Sequence, residues 1–279
     1  VPLLYVLIWL YLNRISAGGL EVYEVVGMTF SVGVIIGTLG INVAHELGHR
    51  NTWYEKLMSK TLLLSALYMH FFIEHNRGHH LRVATKEDPA TSRYGETLYA
   101  FWIRSTFYSY LGAWKLEATR LNRMGQSVFS LNNEMLRFQL IQLAYLGTIT
   151  FFFGWQIMLL AIAAAVIGFL QLETVNYIEH YGLHRKKMKN GRYEHVQPHH
   201  SWNSNHDMGR IFLYELTRHS DHHFKANRKY QMLRHFEKAP QLPTGYPGAM
   251  LMALVPPLWF GVMNPRVKEE VSRVELALG

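Results

Sequence analysis

The sequence contains no cysteine. That excludes disulfides, thiolate-ligated zinc and iron–sulfur clusters carried by this chain, while leaving its compartment open. Charge is also scarce: 17% of the 279 residues are charged, against 49% hydrophobic and 14% aromatic. Acidic residues are the minority, 20 against 28 basic, so the net charge is +8. A basic balance points to nucleic acid or to an anionic membrane surface. Long uncharged apolar stretches share the chain with those cations, which argues against nucleic acid and for lipid. There is no initiator methionine, and the sequence opens inside the apolar run 1–12. It reads as a piece of a longer protein, with an earlier span expected before it and no signal peptide visible.

What the chain has in quantity is apolar sequence. Residues 25–44 are twenty positions without a charge, enough to cross about 30 Å of hydrocarbon. Gly33 and Gly37 stand at the spacing that lets two helices approach closely. Residues 138–172 are also uncharged, too long for one crossing and sufficient for two short ones. A hairpin turning near Phe153-Gly154-Trp155 is therefore expected. The run 1–12 closes a further span that leads through Arg14–Glu24 into the next helix. The expected architecture is an all-α integral membrane helix bundle, one membrane-embedded domain over 1–279. Four spans are visible, at about 1–16, 22–44, 138–154 and 155–179, with 45–137 and 180–279 lying outside the bilayer on one side.

Sixteen histidines stand against this apolar background, and their grouping carries more information than their number. His45-Glu46-Leu47-Gly48-His49, His75-Asn76-Arg77-Gly78-His79-His80 and His219-Ser220-Asp221-His222-His223 repeat one pattern. Each is an imidazole, two or three spacers, then one or two more imidazoles. Positions i, i+3 and i+4 of a helix share a face, so each cluster aims several nitrogens at one point. His80 projects about 100° from His79, toward a second ion beside the first. His180 closes the segment Asn176-Tyr177-Ile178-Glu179-His180-Tyr181-Gly182-Leu183. Imidazole suits Fe, Zn, Cu and Ni, and so many ligands exceed what one ion holds. The pattern predicts two metals in one polyhistidine site.

Membrane parity constrains the rest. His45 ends one span and His75 follows thirty residues later, so the apolar stretch 57–72 between them cannot cross once. Residues 99–116 must not cross either; their aromatic residues suit an interfacial belt. Residues 248–262, with Pro256-Pro257, are too short to span and are expected at the surface. Residues 181–238 hold twelve Lys and Arg, whereas the 14–24 connection holds one. The positive-inside rule then puts the histidines in a helical cap on the cytoplasmic side.

Carboxylates flank the clusters at Glu46, Glu74, Glu179 and Asp221. A metal-bound imidazole commonly donates its other N–H to a carboxylate, and that supporting role is expected for these four. Projected back along its helix, the face of His180 carries Asn176, Glu173, Phe169 and Ile162. These four are the expected lining of an apolar corridor from the lipid. A lone histidine on an apolar helix is ordinarily a packing residue, and His70, His195, His206 and His235 are read that way. His184, one turn beyond His180, and the pair His199-His200 are left without an assigned role.

HELGHR at 45–50, EHNRGHH at 74–80, NYIEHYGL at 176–183 and RHSDHH at 218–223 resemble the histidine boxes of membrane alkane 1-monooxygenases. The wider family is that of the integral-membrane non-haem diiron enzymes, which includes fatty-acyl desaturases, hydroxylases and xylene monooxygenase. The last two segments narrow the likeness to the alkane and xylene branch. The resemblance implies six spans, two of them missing here, in the bacterial inner membrane. It implies two iron ions held by His45, His49, His75, His79, His80, His180, His219, His222 and His223. It further implies terminal hydroxylation of medium-chain n-alkanes to 1-alkanols with O2 as co-substrate. Two electrons would come from rubredoxin, a separate chain or fused domain, itself reduced by an NADH-dependent rubredoxin reductase.

Three rival readings stand beside this one. HELGH also fits HExxH, the motif of zinc metalloproteases, but that chemistry leaves six clustered histidines unexplained. A metal transporter would place its ligands near the bilayer midplane, whereas these clusters sit at the ends of the apolar runs. A desaturase or xylene-type methyl hydroxylase of the same superfamily differs only in substrate fit.

Overall fold

The computed structural model describes residues 1–278; Gly279, the last residue of the expected domain, lies outside the described residues. The chain is helical, and among the described residues extended pairing is limited to isolated bridges, Lys187 with Tyr193 and Asn203 with Gln241. The described residues gather into two compact units. The first comprises Val1–Arg77 and Tyr110–Leu172; the second comprises Gly78–Ser109 and the chain from Glu173 onward.

Among the described residues three helices are long and apolar enough to cross a membrane: Val22–Gly48, Glu134–Phe153 and Trp155–His180. The fourth expected span is the apolar helix Pro2–Ser16, whose 15 residues rise only about 22 Å, short of a 30 Å core. Local chemistry sets the boundaries. Glu24 accepts the Glu21 N–H at 2.8 Å to cap the first long helix. The Asn133 side chain accepts the amides of Met135 and Leu136 at 2.9 and 3.3 Å to start the second. Gly154, at φ 86°, breaks the apolar run, a backbone state that only glycine enters without strain. Phe151, Phe152 and Trp155 around that turn are all exposed, and only 11% of the most apolar window of Glu134–Phe153 is buried. Such uncovered apolar surface is what a lipid-facing helix presents.

Inside the first unit the Gly33/Gly37 spacing does what the motif permits. A Cβ at Gly33 would lie 2.6 Å from Cβ of Ile167, and one at Gly37 would lie 2.2 Å from Oε1 of Gln171. Gln171 uses that room to donate to Thr38 at 3.0 Å. The helix passes through a π-turn over Ile36–Ile41 before its last turns present His45. A buried ionic knot fastens the same unit. Glu117 accepts from Arg77 at 2.9 Å, from Arg120 at 2.6 Å and from the Glu134 amide at 2.8 Å. Burial alone would raise the Glu117 carboxyl, but those hydrogen bonds and charges pull it down to about 2.

The second unit packs Phe101, Tyr177, Tyr181, Trp202, Tyr246, Trp259 and Met263 into its core. This corrects the expectation for 248–262. Tyr246–Ala253 and Pro256–Leu278 are helices that bury Ala249, Ala253 and Trp259 and leave Leu251, Leu254 and Leu258 exposed. The apolar period is helical, so one face enters the core while the other remains at the surface.

Candidate metal centre

In the second unit, four imidazoles converge. Nε2 of His219 lies 3.1 Å from Nε2 of His180 and 2.8 Å from Nε2 of His223. His79 completes the group, its Nε2 3.3 Å from that of His223. All four residues are buried, and burial, then the neighbouring imidazoles, holds His223 well below the usual imidazole range. A neutral ring offers one bare nitrogen to a metal. These spacings test the fit of an ion. Metal–imidazole bonds of about 2.1 Å put neighbouring ligand nitrogens about 3.0–3.4 Å apart in octahedral or tetrahedral arrangements. The observed 2.8–3.3 Å separations are edges of such a polyhedron. Packed imidazoles would have no reason to point four Nε2 atoms at one another, so the residues fit a metal.

The first unit gathers three more. Nε2 of His49 lies 3.3 Å from Nε2 of His45 and 3.1 Å from Nε2 of His75. In the second unit His80 and His222 pair at 3.1 Å through the same atoms. The four-residue step from His75 to His79 does not aim both rings at one point, as helical spacing predicted. Residues 75–79 form a π-turn, in which four residues fall short of a full turn, whereas in an α-helix they overshoot it. The cluster 219–223 divides likewise: His219 and His223 join the four-histidine group, and His222 turns to His80.

The flanking carboxylates take different partners. Glu179 Oε1 lies 3.2 Å from Nδ1 of His219 and accepts the Tyr246 hydroxyl at 2.8 Å. Asp221 instead receives Arg234 at 2.9 Å and Arg228 at 3.3 Å, and Glu46 pairs with Arg50 one turn on. Glu74 is buried. The carboxylate that sequence reasoning missed is Asp88, whose Oδ2 lies 2.8 Å from Nδ1 of His79. It stands nine residues from its imidazole, so neighbourhood in the sequence could not find it.

Of the expected channel residues, Glu173 and Asn176 are buried and Ile162 is half-buried. Phe169 stacks on Tyr68 with ring centroids 4.7 Å apart and planes 9° from parallel. His184 is exposed. Glu194, His199 and His200 form a further donor group, but Nδ1 of His200 accepts the Gln197 amide at 2.9 Å. That bond fastens the loop and leaves the proton on Nε2, which faces Glu194 at 3.3 Å.

Comparison with known proteins adds an independent line. A family model described as fatty acid desaturase matches residues 23–250. The chain is similar to alkane 1-monooxygenase of Ectopseudomonas oleovorans, 48% identical over 244 residues, 88% of this chain and 61% of that protein. It is 45% identical to alkane 1-monooxygenase of Pseudomonas putida over 267 residues, 96% of this chain and 66% of that protein. Against alkane 1-monooxygenase 1 of Alcanivorax borkumensis it is 42% identical over 283 residues, 100% of this chain and 70% of that protein. The chain thus spans about two thirds of the length of these relatives.

Proposed function

Because the chain belongs to the fatty acid desaturase family, and within it to the branch of the alkane 1-monooxygenases, we propose that it hydroxylates the terminal carbon of n-alkanes. The overall reaction takes an alkane, O2, two electrons and two protons to a 1-alkanol and water. The observation that carries this reading is the convergence of buried, cysteine-free imidazoles in a chain whose longest helices suit lipid. The nine box histidines hold two iron ions, the cluster of His79, His180, His219 and His223 taking one. Bound iron supplies the oxidising power toward an unactivated C–H bond that side chains lack.

The protein's own residues do the rest. Burial keeps His223 neutral and bulk water away from the four-histidine cluster. Glu179, 3.2 Å from Nδ1 of His219, favours the tautomer whose Nε2 stays bare. Medium-chain alkanes dissolve in the bilayer, gaining about 0.8 kcal/mol for each CH2 taken out of water, and enter between helices from there. They offer no polar handle, so shape must present the chain end first. Ile162, Phe169, Glu173 and Asn176 line that approach. Electrons come from rubredoxin, kept reduced by its NADH-dependent reductase. The histidines face the cytoplasm of a bacterial inner membrane, a side supported by the cation excess in 181–238.

The test is octane hydroxylation with rubredoxin, its reductase and NADH, with iron quantified on the same sample. The reading expects 1-octanol and about two irons per chain. Iron-replete protein that forms no octanol overturns the substrate assignment. A single zinc ion, with proteolysis lost on Glu46→Ala, would turn the reading to a protease.

A further inference from the structure

Asp88 is 1% exposed and every oxygen of its carboxylate is engaged. Oδ2 lies 2.8 Å from Nδ1 of His79 and accepts the Thr91 hydroxyl at 2.6 Å, while Oδ1 accepts the Ala90 amide at 3.2 Å. Thr91 Oγ1 in turn accepts the Ala84 amide at 2.9 Å. Ala84 is buried and held at φ 58°, a left-handed state that a residue with a Cβ keeps only where its surroundings enforce it. The same segment is tied to the chain around His180. Ser92 donates to the Tyr177 carbonyl at 2.7 Å, Gly182 N–H to the Ser92 carbonyl at 3.1 Å, and Arg185 N–H to the Ala84 carbonyl at 2.8 Å.

We propose that Asp88 is a positioning residue for the histidine cluster and that residues 84–92 form a strap joining the 75–80 cluster to the His180 turn. A carboxylate that accepts from Nδ1–H allows one tautomer of His79, the one with its lone pair on Nε2 and facing His223. It also makes that nitrogen a stronger donor to a cation. Because the strap is bonded to the backbone on both sides of His180, one rigid segment sets the separation of two ligands from distant boxes. The inference rests on the reading that this cluster holds iron.

The experiment compares iron release to a ferrous chelator from detergent-solubilised wild type, Asp88→Asn and Thr91→Val, with the visible spectrum of each after cobalt(II) substitution. Asparagine keeps one acceptor oxygen, enough for the Thr91 hydroxyl or the Ala90 amide but not both, and removes the charge, so a purely structural role would lower the melting temperature and leave the cobalt bands unchanged. We expect Asp88→Asn to release iron about 10–100-fold more readily and to alter the cobalt bands. Thr91→Val should move both readouts the same way by less. Wild-type release and an unchanged cobalt spectrum in Asp88→Asn overturn the proposal. If that variant fails to fold, unchanged release in Thr91→Val overturns it instead. Wild-type iron content in the same samples reports separately on the metal reading.

Discussion

Glu179 Oε1 lies 3.2 Å from Nδ1 of His219, while the adjacent His180 puts its Nε2 3.1 Å from Nε2 of the same ring. Consecutive residues at one helix end therefore approach the two nitrogens of a single imidazole from opposite sides. About 100° separates successive side chains on a helix, which is enough for one to reach the cluster and the other to reach around it. Tyr246 completes the arrangement by donating to Glu179 at 2.8 Å. Burial, then the Glu179 charge, raises the Tyr246 phenol well above its ordinary range, so it remains a donor at any physiological pH.

Removing His180 deletes an imidazole from the four-histidine cluster. His180→Ala is expected to abolish turnover and lower iron content, although His180 lies outside the three clustered boxes. Full activity in that variant would refute the assignment. Glu179→Gln keeps the ligand and removes its support, so iron affinity should fall about 10–100-fold with the protein still folded. Iron titration of both variants separates the two effects.

Phe169 stacks on Tyr68 at 4.7 Å and is half-buried. Phe169→Ala should cost roughly 2 kcal/mol, below the value for a fully buried phenylalanine. If the ring lines the alkane path, the space released should shift preference toward longer chains. Competition between octane and dodecane, with both alkanols quantified, checks this. An unchanged ratio removes Phe169 from the lining.

The existence of the site was legible because its ligands come in local groups: three boxes with helical spacing mark a metal centre by residue type and order alone. How the rings sort was not legible. The π-turn at 75–79 has no compositional signature, yet it decides that His75 meets His49 and His79 meets His223. Carboxylates were sought beside the boxes, and the search found Glu179 but also Asp221, which serves Arg234 and Arg228. Asp88 reaches His79 only because the backbone doubles back through Ala84, a conformation set by tertiary contacts and not by alanine's own preference. The turn at Gly154 could be read ahead because an uncharged run of that length has to fold back and a glycine marks the place.

His70 supplies a pH test independent of the metal. It is buried against Tyr68 and Tyr110, with ring centroids 4.2 and 5.4 Å away, and its Nε2 has no hydrogen-bond partner among the described residues. Burial pushes its pKa down to about 3, whereas the unfolded chain protonates near 6.5. The unfolded state therefore binds the extra proton between those values. The stability associated with a neutral His70 is complete above about pH 6.5 and is lost progressively as pH falls toward 3. By pH 5 the loss amounts to about 2 kcal/mol. His70→Phe should flatten that dependence, read as melting temperature in detergent from pH 7.5 to 5. Parallel profiles for variant and wild type would mean that His70 is solvated in the folded state.

Gly33 tests whether the first unit depends on close helix approach. A Cβ there would fall 2.6 Å from Cβ of Ile167 and 2.9 Å from the Ala164 carbonyl oxygen. Both obstacles belong to or sit beside the partner helix backbone, so neither can swing away as a flexible side-chain end could. Gly33→Ala must push the helices apart, and overpacking of this kind costs about 1–3 kcal/mol. Gly27, on the same helix, has open space within 4 Å of the position a Cβ would take. Gly27→Ala should therefore be neutral or stabilise by up to about 1 kcal/mol through helix propensity. Size-exclusion profiles after a graded heat step should show Gly33→Ala losing its folded peak at a lower temperature than wild type, and Gly27→Ala keeping it. Equal behaviour of the two variants would mean that the tight crossing adds nothing to stability, and that the spacing of Gly33 and Gly37 is incidental.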